Sequence, residues 1–339
     1  MQGENYYMKT KIISTIILCL IAFTKAYSAQ VGFFVGEVSG ERKGRPFRIN
    51  MGMTLETGDL IRTGNGGTAE IHYPNNTRIT LRENTLVKIG NENIPASNEV
   101  TVVSGNALAV FAQGSGNRNR AYTPTTVAAV RGTEFEINVN NGNSTIILNK
   151  GKLNVSNTYS QVSLNAGQNV QTNVGAGVGK PTKNSKQSNR KQQQQSEDMD
   201  KLAQDFNRYV DGFDSRAKAQ SNNTKKFSDE LNSATTNQKM AVIGKNIEQA
   251  EESMRDELFL IEGVNQSLSL ILNNLPDKSS KEFIDFSQIR ERSTSVASVK
   301  ARNFAEIQAV KQQHQEAVDK IRYRFEADRA RILEGTKGQ

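Results

Sequence analysis

The stretch Thr123-Pro124-Thr125-Thr126-Val127-Ala128-Ala129-Val130-Arg131-Gly132-Thr133-Glu134-Phe135 holds two strands and the corner between them. Val127 to Val130 is an apolar run long enough for a buried strand and too short for a helix. Arg131-Gly132 breaks it, because glycine tolerates backbone angles that a side chain forbids. The chain then resumes over Thr133 to Val139, where Phe135, Ile137 and Val139 alternate with Glu134, Glu136 and Asn138, the period of a half-buried strand.

The same punctuation extends in both directions. Val31 to Val38 reads as a strand, and Gly40 to Gly44 with Pro46 reads as a turn. Met53 to Leu55 and the segment Gly58-Asp59-Leu60-Ile61-Arg62-Thr63-Gly64 follow. Ala69, Ile71 and Tyr73 alternate with polar residues, and Pro74-Asn75-Asn76 makes a hairpin corner. Further short strands are expected at Ile79–Leu81, Leu86–Ile89, Val100–Val103, Ala107–Phe111, Thr145–Leu148, Leu153–Val155, Val162–Leu164 and Asn169–Thr172. Strands of about five residues spaced about ten apart predict an all-β sandwich, barrel or solenoid over residues 30–174.

On these residues the chain resembles the FecR domain family. The Thr123-Pro124 pair and the run Val130-Arg131-Gly132-Thr133-Glu134-Phe135 are similar to the family signature, with a departure at Thr125. Gly58-Asp59 and Thr63-Gly64 are similar to its first half, and Asn149 to Val155 and Leu164 to Gln168 to its closing turns. The resemblance implies an extended β module of about residues 35–172, known best from the periplasmic part of sigma-factor regulators. It marks Gly58, Asp59, Thr63, Gly64, Thr123, Pro124, Val130, Arg131, Gly132, Thr133, Glu134 and Phe135 as structural or partner-contact positions.

The flanks of the β region are of different material. Lys9 and Lys11, an apolar run from Ile12 to Phe23, and Ala26-Tyr27-Ser28 have the order of a secretory signal peptide over residues 1–28, cleaved near Ser28. The run is short of the roughly twenty residues of a bilayer span, and an uncleaved anchor is the competing reading. The one cysteine, Cys19, lies inside it, so the mature chain would have neither disulfide nor thiolate metal site. A periplasmic or secreted protein is expected, with no transmembrane span after cleavage.

Residues 175–195, with Gly175, Gly177, Gly179, Pro181 and a Gln192–Gln195 tract, read as a disordered linker. The net charge of +8 concentrates there and in the first residues: 30–175 carries 13 basic and 10 acidic residues, and 196 onward 22 and 24. A basic spacer of this kind gives no reason to expect a nucleic-acid partner.

Residues 196–335 are expected to be helical. Met240, Ile243, Ile247, Ala250, Met254, Leu258, Ile261, Asn265, Leu268 and Leu272 form one stripe at steps of three and four, with Glu248, Glu251, Glu252, Arg255 and Asp256 placed outside it. Pro276 ends that helix and a second runs from about Ser280 to Leu333, with polar breaks at Lys300, Asn303 and His314. A shorter helix over 196–219 carries Leu202, Phe206, Val210 and Phe213. A helical hairpin or coiled coil follows, closing on itself or self-associating across subunits.

No catalytic, cofactor or metal constellation emerges. His72 and His314 stand alone, each read as a surface residue. Glu134 and Glu136 face one way on a strand, read as its wet face, and Gly114-Ser115-Gly116 lacks the flanks of a nucleophile elbow. Gly64, Gly66 and Gly67 do not open a helix, so they do not form a dinucleotide loop. The expectation is an exported, non-catalytic interaction or envelope scaffold protein whose partner is a protein or envelope component. The alternative is a periplasmic signalling regulator working through a membrane protein. The short segment before the apolar run leaves no room for a sigma-binding region, so direct anti-sigma activity is not expected.

Overall fold

The computed structural model describes residues 29–73, 76–91, 99–112, 119–130, 132–183, 199–234 and 236–336. The expected signal segment, Arg131, the Pro74-Asn75 corner, the Gly114–Gly116 segment and most of the expected linker lie outside the described residues.

Among the described residues sixteen strands come first. They are β1 (Gln30–Val35), β2 (Val38–Arg42), β3 (Arg45–Arg48), β4 (Leu60–Thr63), β5 (Thr68–His72), β6 (Arg78–Leu81), β7 (Leu86–Ile89) and β8 (Val100–Val110). Then follow β9 (Asn119–Tyr122), β10 (Val127–Val130), β11 (Glu134–Asn140), β12 (Asn143–Lys150), β13 (Lys152–Ser156), β14 (Gln161–Asn165), β15 (Gln168–Thr172) and β16 (Thr182–Lys183). The Val31–Val38 strand expected from sequence is divided at Gly36, and the turn expected over Gly40 to Gly44 narrows to Lys43-Gly44, with Gly40 inside β2 and Pro46 inside β3.

These strands make two layers that share β8. One layer runs β1-β5-β6-β8-β11-β12-β15-β16 and the other β3-β2-β4-β7-β8-β9-β10-β13-β14. The sheet is not closed. Phe135, Ile137, Ile79 and Ala107 from the first layer meet Val87, Val102, Ala128 and Val155 from the second in one buried core. The alternation read from sequence is realised in β11, whose Phe135, Ile137 and Val139 are buried while Glu134, Glu136 and Asn138 look outward.

The chain changes layer at corners, and the corner of the opening stretch is one of them. β10 pairs with β9 and β13 in the second layer, whereas β11 pairs with β8 and β12 in the first. β8 itself changes layer: Ser104 pairs with Leu86, and Gly105 pairs with Val139 across the other sheet. Gly105 has φ +88°, and a Cβ there would lie 2.5 Å from the Asn84 carbonyl oxygen and 2.6 Å from Thr85 Cα. Only glycine fits both the angle and the space.

Among the described residues three helices follow, α1 (Met199–Ser233), α2 (Asn237–Asn274) and α3 (Lys281–Thr336). α1 is longer than the sequence suggested, because Thr224, Phe227 and Leu231 are held against the bundle. α1 and α3 run parallel, joined by Lys281–Asp200 (2.6 Å), Arg292–Asp211 and Lys300 to Gln220 (3.1 Å). α2 runs antiparallel to both. Lys311 meets Glu251 at 2.5 Å, and His314 contacts the Met240 carbonyl at 2.8 Å. The helices therefore close on one another.

The polar breaks of the second stripe are interior pairs. Lys300 is 2% exposed and bonds to Glu257, which also holds Arg216 at 2.8 Å. Burial pushes the Lys300 ammonium below its ordinary value, against the pull of Glu257. Asn303 donates its amide N–H to the Ala217 carbonyl at 2.7 Å. These pairs tie the three helices to one register. His314, expected at the surface, is half-buried, whereas His72 is exposed beside Glu70.

Gly105→Ala is expected to destabilise the fold by about 1–3 kcal/mol, the cost of forcing a side chain into this backbone region. The readout is the urea midpoint of the full chain, and an unchanged midpoint would show that β8 turns without help from this glycine.

Candidate functional site

The motif residues read from sequence fall into two groups. The first builds corners. Gly58 (φ +94°) donates its N–H to the Ile89 carbonyl at 2.6 Å. Asp59 is fully buried and accepts two bonds of 2.7 Å from the Arg42 guanidinium and one of 2.8 Å from the Glu56 N–H. The Thr63 hydroxyl donates to the Arg82 carbonyl at 2.6 Å and accepts from the Thr85 N–H at 2.9 Å. Gly64 N–H donates to the Glu37 carbonyl at 2.8 Å.

Val130 ends β10 in the core, and Gly132 turns the chain at φ +64°. The Thr133 carbonyl accepts the Phe111 N–H at 2.9 Å, and Phe135 stacks on Phe111 with centroids 5.8 Å apart. Glu134 pairs with Lys150 at 2.7 Å and Glu136 with Arg82 at 3.5 Å, both on the outer face. Among the described residues, no group of His, Cys, Asp and Glu is placed to hold a metal ion.

The second group is Thr123 and Pro124, in the turn between β9 and β10. The Thr123 N–H donates to the Thr126 carbonyl and the Thr126 N–H to the Thr123 hydroxyl, each at 2.9 Å. Ser144 donates to the Thr123 hydroxyl at 2.7 Å, and the Thr125 hydroxyl lies 2.6 Å from Ser144. The departure at Thr125 thus joins a buried hydroxyl cluster. Pro124 packs on α2 at Gly263, where a Cβ would come within 3.1 Å of Pro124 Cα.

That contact opens onto the junction between sheet and helices. The outer face of the second layer carries Lys88, Arg120, Tyr122 and Val127 in the middle of the sheet, and α2 lies across it. Arg120 reaches both Glu252 and Asp256, the latter at 2.5 Å. Tyr122 donates its hydroxyl to Asp256 at 3.0 Å and stacks on Phe259, centroids 3.9 Å apart and planes within 9°. Lys88 binds Glu262 at 2.6 Å, and Arg255 binds Glu99. Tyr122, Val127 and Val174 belong to the same buried cluster as the helices.

The electrostatics are those of a partly desolvated clamp. Burial raises the Asp256 carboxyl to about 6, with Arg120 and the Tyr122 hydroxyl pulling down and Glu252 pushing up. Burial opposes the charge on Arg120, but Asp256, Tyr122 and Glu252 outweigh it and hold the guanidinium above its ordinary value.

Glu252, Arg255 and Asp256, placed outside the stripe from sequence, face the sheet, with Arg120 as the partner of the two carboxylates and Glu99 as the partner of Arg255. One signal in the sequence points there. Leu258-Phe259-Leu260-Ile261 is apolar on every side of the helix, and such a segment is buried all round.

A two-layer β domain with a helical bundle clamped across one face is the class of protein so defined. Residues 59–154, from Asp59 into β13, match the family described as FecR protein. Two crystal structures of a candidate anti-sigma factor from Parabacteroides distasonis ATCC 8503 are similar to the chain. The 1.65 Å structure is 18% identical with a TM-score of 0.33, over 40% of this chain and 64% of that one. The 2.50 Å structure is 16% identical with a TM-score of 0.33, over 44% and 73%. The chain thus spans slightly less than two thirds of the first of these relatives. No curated protein matches the chain.

Arg120→Ala should lower the unfolding free energy by about 3–5 kcal/mol, because two carboxylates are then left against the sheet without their cation. Urea unfolding measures this, and a loss below about 1 kcal/mol would place the pair in the class of solvent-exposed bridges. Asp256 also predicts a pH dependence. Its raised pKa means that between about pH 4 and 6 the folded chain keeps a proton the unfolded chain releases. Its contribution to stability therefore falls as pH rises through that window. Asp256→Asn should remove this component when unfolding is compared from pH 4 to 7, and an unaltered pH profile would count against it.

Proposed function

We propose that this chain is an envelope signalling regulator that works by binding proteins and not by catalysis, with the β layers and the helical bundle acting as one unit. The observation that carries this is the FecR family match at 59–154 with α2 clamped on that segment's outer face through Arg120, Tyr122 and Lys88. FecR-domain regulators act through protein contacts and are usually associated with the envelope. The clamp supplies a route by which an event at the helices is felt by the sheet, since α2 contacts both the sheet and the other two helices.

Export through a signal peptide ending near Ser28 belongs to the same proposal, supported by the charged, apolar and small-residue order of residues 9–28. Among the described residues no helix is long and apolar enough to cross a membrane. Self-association through the C-terminal helices also belongs to it, supported by Tyr323 and Phe325, 75% and 70% exposed on α3 beyond the stretch that packs on α2.

The competing reading is a passive envelope scaffold. Deleting the gene, and separately replacing it with the Arg120→Glu variant, distinguishes them. A regulator predicts a narrow, shared set of altered transcripts in both strains. Altered envelope permeability with an unchanged transcript profile would favour the scaffold.

A further inference from the structure

We propose a second binding surface, away from the clamp: a groove at the β2–β3 hairpin that takes an acidic linear segment of a partner protein carrying an apolar anchor. The groove has a volume of about 500 Å³ and is lined by Arg42, Lys43, Arg45, Pro46, Phe47 and Met53. It lies at a lateral edge of the second layer, where β3 is the last strand of its sheet among the described residues.

Its floor is apolar and continuous with the interior, because Phe47 and Met53 are half-buried and pack against the core between the layers. Methionine is flexible and polarisable, so a floor of phenylalanine and methionine adapts to an inserted side chain without demanding one shape.

The rim is cationic, with Arg42, Lys43 and Arg45 along it. Arg42 is accounted for: it binds Asp59 and Glu56 and lies over the Phe47 ring at 5.2 Å. Asp59 holds it there, which fixes one wall of the groove. Lys43 and Arg45 are exposed and form no ion pair among the described residues. By contrast Lys88 and Arg120, which face α2, and Arg255, which lies on it, all have carboxylate partners. Two exposed cations without an ion pair among the described residues, bordering an apolar floor, complement an anionic segment with a hydrophobic side chain.

The backbone says how such a segment is held. The two-residue turn Lys43-Gly44 makes Arg42 and Arg45 the hydrogen-bonded pair, so the next pair, Glu41 and Pro46, is non-hydrogen-bonded. Pro46 therefore shows the free edge of β3 a residue without an N–H, which interrupts the ladder an added strand would need. Recognition through side chains in the groove is left, and not extension of the sheet.

The surface is independent of whether the protein regulates or scaffolds, because it is read on the purified full chain. A phage-displayed random peptide library is panned against the chain, and enriched peptides are measured by fluorescence anisotropy. Phosphatidylglycerol vesicles and inorganic phosphate serve as parallel probes. The expected result is enrichment of peptides rich in Asp and Glu with an aromatic or aliphatic residue. Their affinity should fall at least tenfold in Lys43→Glu/Arg45→Glu, which touches only exposed side chains, and fall again in Met53→Ala. Absence of acidic peptides from the enriched pool, affinity indifferent to the charge reversal, or binding of vesicles or phosphate without peptide would each overturn the proposal. Circular dichroism of each variant confirms that the fold persists.

Discussion

The outer face of the second β layer cannot stand in water as built. Tyr122 and Val127 are apolar at its centre, and Lys88 and Arg120 stand beside them with almost no exposed surface. A sandwich normally solves this by making its outer faces polar. Here α2 covers the face, and that single contact fixes much of the remaining architecture. The segment of α2 above Tyr122 is apolar all round, so its far side needs a second cover, which α1 and α3 supply. The sheet thereby explains the bundle: three helices close because the middle one has two faces to bury.

Charge decides where α2 rests along the sheet. Stacking of Tyr122 on Phe259 contributes about 0.5–1.5 kcal/mol beyond area burial, but apolar contact alone permits sliding. Arg120 between Glu252 and Asp256, Lys88 with Glu262 and Arg255 with Glu99 mark one position along the helix axis. Inside the bundle Lys300, Glu257 and Asn303 do the same for the helices among themselves. Buried ion pairs add little net stability compared with apolar packing, and a wrong register would strand each charge.

Much of the fold was legible in the sequence because its signals are local. The alternation in β11, the corner glycines and the stripe of α2 each state a periodicity that the structure realises. The layer changes were not legible, since a glycine corner reads alike whether it folds a strand back on its own sheet or carries it to the opposite one. The end of α1 was missed for another reason: Ser221, Asn222, Asn223 and Thr224 are weak helix formers, and tertiary contacts at Thr224, Phe227 and Leu231 hold them helical. Arg120 and Asp256 were missed because neither declares its burial: polarity predicts solvent unless the partner is known, and the partners are over a hundred residues apart. The described motif residues are mostly the joinery of corners, and among them Pro124 packs on α2.

That separation along the chain has a kinetic meaning. Lys88 and Glu262 are 174 residues apart, and Arg255 and Glu99 are 156 apart. Strand hairpins and neighbouring helices close short loops and form early, whereas these contacts must wait until both ends exist. Docking of α2 is therefore a late event on the way to the native chain. Until it happens, Tyr122 and Phe259 lack the cover each gives the other, and transiently exposed apolar surface of this kind favours aggregation.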